Sequence, residues 1–250
     1  GLPASVGAGL GEIWNASNAA FALCWMLSSG AIHALDAAAS EELRETYLTK
    51  LVSGEWTGTM NLTEPDAGTD LGAIRTMATA RDDGSWSISG QKIFITWGDH
   101  DVADNIVHLV LARTPGAPDG AKGLSLFVAP RLLVNADGSL GERNRIETVA
   151  IEHKLGIHAS PTCVLSYEDA TGYLVGELHG GLAGMFVMMN SARVGMGHQA
   201  TGISDRSYQG AASYAAARLQ GRVLDRPAGA TIAEHPDVRR ILGSMSSQVF

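Results

Sequence analysis

Positive charge is scarce in this chain, cysteine is scarcer, and no apolar run reaches membrane length. Its 250 residues include 18 Lys and Arg against 26 Asp and Glu, a formal net charge of -8. That balance argues against a nucleic-acid protein, and no basic cluster offsets it. The densest group is Arg239-Arg240 after Arg222 and Arg226. One or two arginines would still suffice for a phosphate. Cys24 and Cys163 are the only two cysteines and have no metal-type neighbour at short spacing. They read as buried small hydrophobes, a usage that fits a reducing cytoplasm. The apolar run Phe21 to Leu35 is interrupted by Ser28, Ser29, Gly30 and His33. It falls short of the roughly 20 residues a span needs, so a buried helix is expected and no membrane span. The start lacks the basic stretch of a signal peptide. No repeat of fixed period is present.

What is present is core material: 45% hydrophobic and 18% charged residues, an ordinary globular composition. The chain opens on Gly-Leu-Pro and ends at Phe250 inside a helical pattern that starts at Pro236 and shows no stop signal. It is therefore read as a piece of a longer protein. Three zones follow one another. Residues 1–54 are expected to be the end of a helical domain. Within them Ala37 to Val52 forms a helical segment with Ser40 as its N-cap and Glu41, Glu42 and Glu45 in the first turns. Residues 55–175 change to β character. Arg81-Asp82-Asp83-Gly84 marks a hairpin, and Asn105 to Arg113, Gly123 to Pro130 and Val164 to Tyr167 read as strands, which together predict a small barrel or sandwich. Residues 176–250 return to helix, with Met185 to Arg218 carrying Gly195, Gly197, Gly202 and Gly210 for close helix approach.

Five segments carry chemistry, and each is weak alone. Thr59 to Asp70 (TMNLTEPDAGTD) sits where helix gives way to β and suits a loop that presents backbone N–H groups to a ligand, or simply a capped turn. Gln91 to Asp101 reads as a strand ending in a polar turn, and His100 beside two acids lacks ligand spacing. His153 and His158, five apart in Glu152 to Thr162, also make a poor metal pair, so no metal is expected. Asn190 and Arg193 share one helix face, where the arginine requires a partner, either a structural acid or an anionic ligand. Arg218 stands near a helix C-terminus in Tyr214 to Gly221, where the helix dipole favours a cation.

In order and spacing these segments resemble the acyl-CoA dehydrogenases over about residues 40–225. Thr63-Glu64-Pro65 with Gly68-Thr69-Asp70 resembles the family's T-E-P-x-A-G-[ST]-D. Lys92 to Thr96 resembles K-x-[WF]-I-T, and Lys154-Leu155-Gly156 with Ser160 and Thr162 resembles K-x-G-x-x-x-S-x-T. Asn190 to Arg193 is similar to a helix motif in which Asp is usual at the first position. Tyr214 to Gly221 resembles Y-A-x-x-R-x-x-F-G, one residue shorter here. Details such as Phe94 to Asp101 and Asn190 are similar to the longer bacterial branch, which includes the 3-methylmercaptopropionyl-CoA dehydrogenases.

The resemblance implies a multidomain α and β architecture: a helical N-terminal part, a central β-barrel and the start of a C-terminal helix bundle. It implies FAD as cofactor and α,β-dehydrogenation of an acyl-CoA, with a carboxylate taking the α proton and flavin N5 the β hydride. Met60, Leu62, Thr63, Gly68, Thr69, Phe94 and Thr96 would meet the cofactor. Thr69, Asn190 and Arg193 would meet the CoA substrate. Arg218 and Gln220 would reach the FAD pyrophosphate of a partner subunit, which implies a homo-oligomer, dimer or tetramer. An electron-transferring flavoprotein is the implied acceptor. No catalytic residue is expected within the chain: the usual Glu would lie beyond Phe250, the minority position corresponds to Ala192, and Glu64 and Glu152 read as structural. Alternatives are an acyl-CoA oxidase or flavin monooxygenase of the same fold, and a non-catalytic CoA-binding homologue.

Overall fold

A computed structural model describes residues 3–223 and 229–249. Arg226 and Phe250, which entered the sequence reading, lie outside the described residues. Contacts divide the chain into two compact units, residues 20–193 and residues 1–19 with 194–250.

Helix α1 (Ala4–Ala38) opens the chain and breaks its helical geometry at Asn18 (φ -154°, ψ 86°). By length and composition α1 could cross a membrane, but half of its most apolar window is buried within the protein. That burial favours a core helix. Ala22, Cys24, Leu27, Ala31, Ala34 and Leu35 are inside, whereas Phe21 and Trp25 are exposed. The next helical segment starts later than the sequence suggested, because Ala37 and Ala38 close α1. Ser40 then caps α2 (Glu41–Leu43), its Oγ accepting from Leu43 N at 3.4 Å. A π-turn (Arg44–Leu48) leads into α3 (Thr49–Ser53).

The strands are β1 (Trp56–Asn61), β2 (Met77–Ala80), β3 (Trp86–Thr96), β4 (Asn105–Arg113), β5 (Leu124–Pro130), β6 (Leu132–Val134), β7 (Leu140–Arg143), β8 (Ile146–Ile151) and β9 (Thr162–Val175). β6 and β7 form a separate hairpin. The pairings β4–β2, β2–β3, β3–β9, β9–β5 and β5–β4 return to their start, so the main sheet closes into the expected barrel. Closure leaves β1 and β8, each paired with a single strand, as the free edges of the sheet. The Asp-Gly signal proves to be the β2–β3 hairpin, with Arg81 N donating to Ser85 O at 2.8 Å and Gly84 at φ +83°. Strand periodicity explains the apolar run of β4. Val107, Leu109 and Leu111 face the core shared with Leu27, Ala31 and Leu35 of α1, while Val110 and Ala112 face the barrel interior with Phe127 and Tyr167.

Gly90 sits in an irregularity of β3 at φ +151°, where an added Cβ would lie 2.8 Å from Thr76 Cα. Gly90→Ala combines overpacking with a backbone conformation that L-residues rarely adopt. It is expected to cost about 1–3 kcal/mol, read as a lowered thermal midpoint.

The second unit holds the rest of α4 (Gly181–Ala217) and α5 (Pro236–Val249). Only part of the glycine expectation holds there. A Cβ on Gly202 would meet Glu12 O at 2.4 Å, so that glycine does permit close approach, but Gly197 and Gly210 have nothing within 4 Å.

Candidate active site

Residues 62–76 leave the end of β1 and cross the barrel mouth before entering β2, and a buried lysine and a half-buried arginine fix this loop. Lys92 projects from β3, wholly buried, and donates to Leu62 O at 2.9 Å and Glu64 Oε1 at 2.8 Å. Glu64 is itself buried and also accepts from Arg75 N (2.7 Å), Thr76 N (3.1 Å) and Thr76 Oγ1 (2.5 Å). Burial raises its carboxyl, but the Lys92 charge and these hydrogen bonds outweigh burial and hold it below the usual range. Burial pulls the Lys92 ammonium down to about 8 against the opposing pull of Glu64. Glu64 therefore anchors the loop, as expected of a structural residue. At the other end Arg113 of β4 donates to Ile74 O (2.8 Å) and Gly72 O (2.6 Å), and to Pro118 O and Gly120 O of the following loop. The tip between these anchors, with Gly68 and Thr69, is exposed.

The end of β3 supplies the facing wall. Its register shifts between Lys92 and Ile95, and Phe94 and Trp97 both take left-handed backbone (φ 60° and 54°). Such conformations in bulky residues persist only where the surroundings impose them. Here Ile93 N donates to Thr63 O at 2.9 Å, Trp97 N to Pro161 O at 2.6 Å and Trp97 Nε1 to Ala20 O at 2.9 Å. The result leaves Phe94, near the end of β3, 57% exposed at the mouth although its side chain is apolar.

Between loop, strand end and helix lies a cleft of about 480 Å³, a volume suited to a small ligand. Met60, Leu62, Thr63, Gly68, Thr69, Phe94, Thr96 and Arg193 all line it. Among the described residues, neither the Thr63 nor the Thr96 hydroxyl bonds to protein. Asn190 is exposed on α4 and does not line the cleft. Arg218 and Gln220 lie just past α4 in the other unit, where the Arg218 guanidinium donates to Gln220 Oε1 at 3.2 Å. Sequence reasoning missed Leu27, Leu71, Ile93, Ile95, Phe186 and Met189, which also line the cleft. The spacing of Phe186, Met189 and Arg193 (i, i+3, i+7) is a helix stripe that could have revealed three of its walls together.

Two other motif residues, Lys154 and His100, are held by contacts within the protein. Lys154 Nζ donates to Ser160 O (2.5 Å) and Thr162 Oγ1 (2.9 Å), tying its own loop. His100 pairs with Thr57 Oγ1 at 3.0 Å and packs edge-on against Trp97. Among the described residues no group of His, Cys, Asp and Glu could hold a metal.

A helical segment, a closed barrel and a cleft at the barrel mouth bounded by a T-E-P loop and a long helix define the acyl-CoA dehydrogenase fold. Residues 59–170 match the family model of the acyl-CoA dehydrogenase middle domain, and this part of the chain belongs to that family. It is similar to the 3-methylmercaptopropionyl-CoA dehydrogenase of Ruegeria pomeroyi, 54% identical over 97% of this chain and 42% of that protein. It is also similar to a butyryl-CoA dehydrogenase of Syntrophomonas wolfei, 43% identical over 92% of this chain and 40% of that protein. The chain thus spans about two fifths of the length of these relatives. Among solved structures, butyryl-CoA dehydrogenase from Megasphaera elsdenii superposes with a TM-score of 0.78 at 26% identity, over 96% of this chain and 58% of that one.

Proposed function

We propose that the full-length protein is an FAD-dependent dehydrogenase that converts an acyl-CoA thioester to its 2-enoyl-CoA. One observation carries this reading. A single cleft gathers three threonines, Thr63, Thr69 and Thr96, whose hydroxyls have no protein partner among the described residues, together with apolar walls and one charged residue, Arg193, that has no carboxylate within ion-pair distance among them. Those features fit a flat, partly polar ring system together with an acyl thioester whose far end carries phosphates. The bound flavin would supply the acceptor for the β hydride.

Every other contribution belongs to the chain. Met60, Leu62 and Phe94 exclude water, while Thr63 and Thr96 orient the ring through their hydroxyls. Gly68 leaves room for close approach, and Thr69 stands beside the entering thioester. Asn190 and Arg193 favour the anionic end of the substrate. Arg218 and Gln220 complete the cofactor site of a second subunit, which makes the working form a homodimer or a tetramer. The domain limits that accompany this reading are residues 1–54, 55–175 and 176–250. The working compartment is the cytoplasm, in fatty-acid β-oxidation, with an electron-transferring flavoprotein as acceptor.

No carboxylate lines the cleft among the described residues, and Glu64 is committed to Lys92. The base is therefore assigned to a Glu further along the full-length protein, and the 250-residue chain by itself is expected to show no turnover. The reading predicts that purified full-length protein carries a flavin absorbance band that anaerobic butyryl-CoA bleaches. A Cβ on Gly68 meets nothing within 4 Å, so Gly68→Trp is expected to fold normally and fill the cleft. Its flavin content should fall at least about tenfold, the size of a blocked site rather than one lost hydrogen bond. A colourless wild-type protein that takes up no added FAD would overturn the proposal.

A further inference from the structure

Phe186 and Arg193 are seven residues apart on α4, two helical turns, and so share one face. Helical side chains lean toward the N-terminus, which brings the arginine back over the aromatic ring. The Arg193 guanidinium carbon lies 5.6 Å from the Phe186 ring centroid. Met189 fills the turn between them, and all three line the cleft. A freely rotating exposed arginine would spread its charge over many positions. The aromatic face restricts it to the one that overhangs the cleft, and it does so without a carboxylate that would compete with an incoming anion.

Resting on the acyl-CoA reading above, we propose that Phe186 is a positioning residue. Its ring holds the Arg193 charge over the cleft, ready for the phosphate-bearing end of the thioester. The interaction orients one cation and leaves it free to bind, whereas an acid at position 186 would neutralise it. Phe186 itself makes no bond to the reacting atoms.

Calorimetric titration of the full-length, FAD-loaded protein with butyryl-CoA and with butyryl-pantetheine, which has no phosphate, tests this. Phe186→Leu should weaken butyryl-CoA about fivefold, the scale of an exposed cation–π contact. It should leave butyryl-pantetheine within about twofold, and Phe186→Tyr should restore wild-type affinity. In an Arg193→Gln background, Phe186→Leu should change nothing further. Equal losses for both ligands would overturn the proposal by showing a packing effect, and additive losses in the double variant would overturn it by showing independence. A wild-type protein that binds neither ligand would overturn the acyl-CoA reading first and this inference with it. Wild-type binding together with phosphate-independent variants would sink this inference alone.

Discussion

Lys92→Met is expected to destabilise the protein by about 3–5 kcal/mol, the usual cost of leaving one member of a buried ion pair alone. The ammonium is wholly buried and Glu64 nearly so, so solvent screening cannot absorb the loss. Methionine fills the volume but donates nothing. Leu62 O loses its donor, and the Glu64 carboxylate keeps three donors but no countercharge. At about 2–4 °C per kcal/mol for a unit of this size, the thermal midpoint should fall on the order of 10 °C. Glu64→Gln in the same chain should recover part of it, because the neutral amide removes the buried charge while its single oxygen still accepts from one side of the pair, Arg75 N or Thr76 N. Flavin retention should fall in parallel, since Lys92 joins the strand bearing Phe94 and Thr96 to the loop bearing Thr63 and Gly68. A midpoint within 2 °C of wild type, read by calorimetry on the full-length protein, would show that the pair does not anchor the loop.

The same pair marks where the sequence stops being legible. Lys92 and Glu64 were visible as members of two separate motifs, and the order of those motifs identified the fold. Their contact was not visible, because it joins positions 28 apart through a barrel closure that no local pattern encodes. Arg113 is a sharper case. At the end of an apolar strand it reads as a polar terminus, yet it caps four carbonyls across two loops. The left-handed backbone of Phe94 and Trp97 contradicts the strand pattern Lys92 to Thr96, and that conflict between local preference and tertiary demand falls at the cleft. The hairpin at Asp83-Gly84 and the cap at Ser40 were legible because both are decided within a few residues. The cleft walls Phe186 and Met189 belong to a helix stripe whose partner is a distant loop, so periodicity could give the stripe but not what it faces.

Beneath β1, residues facing the barrel interior form a chain of hydrogen bonds that predicts a steep acid sensitivity. Tyr167 donates its hydroxyl to Asn61 Oδ1 at 3.1 Å, Asn61 Nδ2 donates to Thr59 Oγ1 at 2.8 Å, and Thr59 Oγ1 meets His108 Nδ1 at 2.7 Å. With the neutral imidazole carrying its hydrogen on Nε2, Thr59 Oγ1 accepts from Asn61 and donates its own proton to Nδ1. Protonated His108 would turn Nδ1 from acceptor into donor and leave the Thr59 hydroxyl proton without that acceptor. Burial, the largest influence, brings the His108 pKa down from its ordinary 6.5 to about 3. Above pH 6.5 neither the folded nor the unfolded state protonates this ring, and stability is fully present. Between pH 6.5 and about 3 the unfolded ring takes a proton that the folded one refuses, so stability falls as pH falls. By pH 4.5 the loss reaches about 2–3 kcal/mol, at about 1.4 kcal/mol per pH unit. Burial lowers His100 as well, and its contribution shares the upper part of this window. The depressed carboxyls of Glu64 and Asp99 add theirs only at lower pH, from their unfolded values downward. His108→Gln keeps a hydrogen-bonding side chain and removes the titration. Its urea midpoint should therefore vary much less than wild type between pH 7.5 and 4.5, even if it starts lower. Met60 and Leu62 alternate with Thr59 and Asn61 along the same stretch, so acid should release flavin over the same range. An unchanged pH slope in His108→Gln would place the acid sensitivity elsewhere in the molecule.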